Sequence, residues 1–111
     1  MKKVFIINSD VMGDGPRELG EKLIASFLRK LCMEENKPSQ ILFYNSGVKL
    51  IAEGSTVLDA IELLTKSGVE LIACGTCLNY FNLTDKVEPE MIGDMQKIIY
   101  IMVKPDHVIT L

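Results

Sequence analysis

Basic clusters are missing from this sequence. No run of Lys or Arg exceeds a pair, as at Lys2-Lys3 and Arg29-Lys30, and the net charge is −3. Proteins that bind nucleic acid neutralise its phosphates with a positively charged stripe, so that class of partner is not expected. Long apolar runs are missing too, and none approaches the roughly 18 residues of a membrane span. The early run Val4–Ile7 is too short for the core of a secretory signal and leads straight into Asn8, Ser9 and Asp10. The expectation is a cytoplasmic protein without a membrane partner. Cysteine and histidine are scarce, at three and one. Cytoplasmic thiols stay reduced, so a close cysteine pair points to chemistry or metal before a permanent disulfide.

What is present fits one globular unit. The 111 residues are 48% hydrophobic and 24% charged, which suits a single domain over residues 1–111 with its own core. No repeat, linker or low-complexity tract interrupts it. Val4–Ile7, Ile41–Tyr44, Val69–Ala73 and Val108–Leu111 are short apolar runs of the kind that strands buried on both faces show. Helical patterns lie between them. Asp14 or Gly15 is expected to cap a helix with Pro16 at its first position, followed by Leu19, Leu23, Ile24, Phe27, Leu28 and Leu31 at helical spacing. Gly47–Ala52 reads as a short helix stopped by Gly54. Thr56 is expected to cap the next, with Val57, Leu58, Ile61 and Leu64 on one face and Gly68 as its stop. Asp94 is expected to cap a last helix with Met95, Ile98, Ile99 and Met102 inward, ended by Pro105. Between residues 79 and 93, Val87 is the candidate for a further short strand.

Buried strands alternating with helices predict an α/β fold with a parallel sheet covered on both faces. Ligands of such sheets sit in the crevice beyond the carboxyl ends of the strands. Three polar exits should meet there: Asn8-Ser9-Asp10, Asn45-Ser46-Gly47 and Cys74-Gly75-Thr76-Cys77. For Asp10, Asn45 and Ser46, turn chemistry and lining of the crevice both remain open.

Cys32 lies four residues after Leu28 on an apolar helix stripe and reads as core. Cys74 continues Ile72-Ala73 and also fits a packing role. Cys77 follows a Gly-Thr turn and precedes residues able to open a helical turn. A thiol there would meet free backbone N–H groups that lower its pKa, with Gly75 leaving them accessible. C-x-x-C is half of a zinc site, but the only other candidate soft ligands are Cys32 and His107, so no metal is expected. A thioredoxin-like site usually follows the first central strand and faces a proline-rich loop, neither of which holds here. Gly13-Asp14-Gly15 begins like a nucleotide loop, but Glu18 stands at the third glycine position and no lysine is present, so a helix-entry turn is the better reading. No cofactor is expected.

Three segments, SDVMGDGPRELGEKL, FYNSGVKLIAEGS and ACGTCLNYF, resemble in order the C-terminal domain of YedF-type proteins of the DsrE/DsrF-like superfamily. The resemblance covers nearly the whole chain. It implies a three-layer α/β/α fold on a mostly parallel five-stranded sheet and frequent homo-oligomers. It also implies relatives that carry sulfur as a cysteine persulfide, with an association by family name with selenium metabolism. The family's reactive cysteine falls in CGTC, here Cys77, with Cys74 as the second or resolving thiol. The SirA/TusA-like domain that usually accompanies YedF-type proteins carries a CPxP motif absent from this sequence. A sulfur or selenium donor or acceptor of that kind is therefore expected as a partner.

The resulting expectation is a small sulfur or selenium carrier, sulfurtransferase-like, with Cys77 as attacking thiolate and persulfide bearer. Cys74 would release the cargo by thiol exchange. Asp10, Met12, Gly13, Asn45, Ser46, Gly47, Gly75 and Thr76 would line the crevice. Two rivals stand beside it: a non-catalytic binding or oligomerisation module, and a C-x-x-C disulfide redox protein.

Overall fold

The apolar runs form a five-stranded, all-parallel sheet in a computed structural model that describes residues 2–111. The strands are β1 (Lys3–Ile7), β2 (Gln40–Phe43), β3 (Glu70–Cys74), β4 (Ile92–Gly93) and β5 (His107–Thr110), ordered β4-β3-β2-β1-β5. Register aligns Phe5 with Ile41 and Leu71, and Ile6 with Leu42 and Ile72. Val4, Ile6, Ile7, Ile41, Leu42, Phe43, Leu71, Ile72 and Ala73 are almost wholly buried. That explains their continuous apolarity: both faces of the central strands are covered.

The helices are α1 (Arg17–Leu31), α2 (Leu58–Lys66), α3 (Gly75–Tyr80) and α4 (Met95–Val103), with a 3₁₀ helix over Asn45–Leu50. The connections from β1 to β4 step one way across the sheet, and the last returns to the far side of β1. Right-handed crossovers then put α1 and α2 on one face and α4 on the other. Contacts agree with this. Phe27 of α1 meets Phe5 with ring centroids 6.0 Å apart, while Lys97 of α4 pairs with Glu70 at 3.8 Å on the alternate face. The architecture is therefore three-layered.

Several local expectations change. Pro16 is itself the N-cap residue of α1, extended at ψ 137°, and neither Asp14 nor Gly15 caps it. Leu19 and Leu23 stay exposed, and Gly20, Ile24, Leu28 and Leu31 form the buried face. Val57, not Thr56, precedes α2, and its N–H donates to the Ser55 hydroxyl at 3.2 Å. Val87 is buried but forms no strand; β4 lies five residues later. Asp94 caps α4 as expected, its Oδ1 accepting the Lys97 N–H at 2.9 Å. The inner face of α4 is Ile98 and Ile101, whereas Met95, Ile99 and Met102 point outward. All of α4 except Gln96 and Lys97 is apolar or aromatic. A helix of that character is normally covered all round, yet Ile99 is 49% and Val103 72% exposed. At one border of the sheet β5 pairs only with β1, and all four of its residues are exposed. No helix among the described residues is long and apolar enough to cross a membrane.

Candidate functional site

Register brings Ile7, Phe43 and Ala73 level, so the three polar exits leave the sheet side by side. The Tyr44 N–H donates to the Ile7 carbonyl at 3.2 Å, which anchors the second exit to the first strand. Gly47 then presses against the same carbonyl: a Cβ there would lie 2.2 Å from Ile7 O. No side chain fits that approach. The Ser46 hydroxyl accepts the Asp10 N–H at 3.1 Å, and the Ser46 N–H donates to Asn45 Oδ1 at 2.8 Å. Between these ties Asn45 adopts the left-handed conformation at φ 51°, which asparagine tolerates better than most residues. Its N–H therefore points out of the turn and donates to Cys77 Sγ at 3.0 Å.

Cys77 is half-buried in the first turn of α3, and Cys74, the residue before that helix, is 1% exposed. Both thiols are free. A lowered Cys77 pKa was expected from the helix start, and the structure reverses this. Burial pushes the Cys77 thiol above its ordinary value, and the adjacent Cys74 thiol pushes the same way. The Asn45 amide opposes them without winning. The physical reason is that withdrawing a sulfur anion from water costs more than one backbone N–H returns.

The other expected residues divide by role. Asp10 forms an ion pair with Arg17 and lines a small cavity. The Met12 N–H donates to Gly20 O at 3.1 Å, which fastens the first loop to α1. Gly13 turns that loop at φ +88° into open space. Gly75 packs toward β4, where a Cβ would stand 3.3 Å from Ile92 Cγ2. Thr76 is exposed.

Sequence reasoning passed over Lys49 and Phe81. The Lys49 ammonium lies 4.5 Å from the Phe81 ring centroid. The signal was available as spacing, since each residue follows a site residue, Asn45 or Cys77, by four positions. Two cavities of about 230 and 370 Å³ share Lys49, Gly54 and Ser55 as walls. The larger space of about 670 Å³ lies between α2 and residues 84–91 and contains no cysteine.

The sequence signature of the DsrE/DsrF-like family matches residues 1–111. The chain belongs to that family. The family is associated with sulfur relay. Two solved structures share the fold over the whole chain. One is described as the crystal structure of ychN protein from E. coli, with TM-score 0.66, 21% identity and full coverage of both chains. The other is a protein of unknown function, MTH1491 from Methanobacterium thermoautotrophicum, with TM-score 0.70, 22% identity, and coverage of 99% of this chain and 98% of that one. Among curated proteins nothing matches.

Proposed function

We propose that this DsrE/DsrF-like protein carries sulfur as a persulfide on Cys77. The observation behind this reading is the half-buried Cys77 sulfur at the carboxyl edge of the sheet, met by a directed N–H from Asn45. In loading, Cys77 loses its proton to solvent and attacks the outer sulfur of a donor persulfide. The donor S–S bond breaks, its thiolate leaves and takes up a proton, and a new S–S bond forms on Cys77. Unloading is the same displacement by an acceptor thiolate. Neither step changes the overall oxidation level. The Asn45 amide stabilises the anion in both directions, while burial keeps the resting thiol protonated and unreactive toward stray electrophiles. Cys74, behind it, is the second thiol.

The three motif segments support a YedF-type assignment within the family, and selenium in place of sulfur would use the same nucleophile. Cargo exchange calls for a donor or acceptor protein, for which a SirA/TusA-like domain in the cytoplasm is the proposed partner. The uncovered apolar face of α4 and the open backbone edge of β5 each support docking of a second copy of this chain. Across a twofold axis either surface meets its own copy.

Mass spectrometry after exposure to a persulfide donor tests the carrier role. Wild type and Cys74→Ser are expected to gain sulfur, and Cys77→Ser is not. Normal loading of Cys77→Ser would remove the assignment to that residue, and failure of wild type with every donor would remove the function.

A further inference from the structure

The cation closest in sequence to the sulfur's amide donor has no carboxylate partner. Among the described residues the ion pairs join Arg17 to Asp10, Arg29 to Asp59, Lys66 to Glu62 and Lys97 to Glu70. Lys49 instead holds its ammonium over the Phe81 ring, a contact that retains the full positive charge. Tyr80 braces that ring edge-on, with centroids 5.1 Å apart.

This contact is a second rung beside the first. Asn45 and Lys49 lie on one 3₁₀ helix, while Cys77 lies on α3 and Phe81 is the residue that ends it. The hydrogen bond to the sulfur and the ammonium–ring contact thus join the same two segments, four residues apart on each. Rises of about 1.5–2 Å per residue put the second rung roughly 6–8 Å from the sulfur along the helices. There the cavity of about 370 Å³ opens over a floor of Ala52, Phe81 and Leu83, with Lys49, Glu53 and Ser55 among its walls. That volume lies in the range of small-molecule sites. One positive and one negative side chain above an apolar floor match a ligand bearing a carboxylate, an ammonium and a short hydrocarbon stem.

On the reading of Cys77 as a sulfur carrier, we propose that this cavity binds an amino-acid or peptide hydropersulfide, R–S–SH, as the sulfur donor. Lys49 pairs with the donor's carboxylate, Glu53 receives its ammonium, and the stem lies on Phe81. The outer sulfur then reaches Cys77. The Cys77 thiolate bonds to that sulfur, the donor S–S bond breaks, and R–S⁻ leaves and is protonated. One sulfur atom has moved and no external electron carrier takes part. Inorganic polysulfide presents neither the carboxylate nor the ammonium, so it reacts without using the cavity.

Two measurements on the full chain separate this inference from the carrier reading. The first is binding of S-methylglutathione, which cannot transfer sulfur, followed by NMR. Wild type is expected to show shifts at Phe81 and Ser55 that Lys49→Met loses. Absence of binding at millimolar ligand, or equal binding by the variant, overturns the cavity assignment whatever Cys77 does. The second is the rate of Cys77 loading. Lys49→Met and Glu53→Gln are each expected to slow loading from glutathione persulfide about tenfold, the loss of one charge-assisted contact. Loading from inorganic polysulfide should stay within about twofold, since neither group touches the reacting sulfur. Equal slowing with both donors, or with neither, overturns the proposal. Loss of all loading despite specific binding would instead remove the carrier reading.

Discussion

The main-chain N–H of Asn45 meets the sulfur of Cys77 at 3.0 Å, although 32 positions separate the two residues in the chain. The contact depends on the left-handed conformation of Asn45. Asn45→Gly keeps that conformation without strain and should preserve thiol reactivity. Asn45→Val forces a β-branched residue into it, at a cost of about 1–3 kcal/mol, or turns the amide away. With the amide lost, the thiol pKa rises further, and alkylation of Cys77 at pH 7.5 should slow about tenfold. Rates of iodoacetamide labelling for the two variants check this, and equal rates would show that the amide does not tune the sulfur.

Gly47 sets the position of the whole turn. A methyl group 2.2 Å from the Ile7 carbonyl oxygen must displace β1 or the 3₁₀ helix. Gly47→Ala is therefore expected to destabilise the fold by about 1–3 kcal/mol. Urea unfolding followed by circular dichroism measures it. A midpoint unchanged from wild type would mean that the approach relaxes freely.

The raised pKa of Cys77 fixes the sign of its pH effects. The folded state favours the neutral thiol, so the group contributes stability below the unfolded-state pKa of about 8.5. That contribution is lost as pH climbs through the unfolded and then the folded value. Wild type should therefore lose stability relative to Cys77→Ser between pH 7.5 and 9.5. Over the same interval alkylation of Cys77 should accelerate. A reaction rate already at its plateau by pH 7.5 would contradict the burial argument.

The apolar outer face of α4 predicts association. Ile99 and Val103 are one turn apart and exposed, so Ile99→Glu and Val103→Glu should leave the monomer folded while dissociating any assembly built on that face. Light scattering coupled to gel filtration checks this. A wild type that stays monomeric at high micromolar concentration would remove the self-docking proposal.

The central strands were readable because burial on both faces leaves runs such as Ile41-Leu42-Phe43 with no polar interruption. β4 was not readable, since two residues, Ile92 and Gly93, carry no periodicity. The buried face of α4 was misassigned for a related reason. A helix apolar on nearly every side has no phase to read, and Ile101 looks no different from Ile99. At the candidate site, the cysteine pair and the Asn45–Gly47 turn were visible as residue types at strand exits. The hydrogen bond to Cys77 was not, because it depends on a backbone angle imposed by β1. The acid strength of Cys77 was misjudged because sequence shows a helix start but not how much water the fold removes from the sulfur.

The two borders of the sheet are unequal. β4 offers only Ile92 and Gly93, whereas β5 exposes four residues. A border two residues long is a poor template for another chain, and short edge strands are one of the ways natural proteins avoid stacking. Growth of the sheet by strand addition can therefore start only at β5, and when two such borders meet, the ends left over are both blunt. Where two copies pair through β5, a two-residue strand borders the joined sheet at each end, which disfavours fibres despite the amount of hydrocarbon the molecule leaves uncovered.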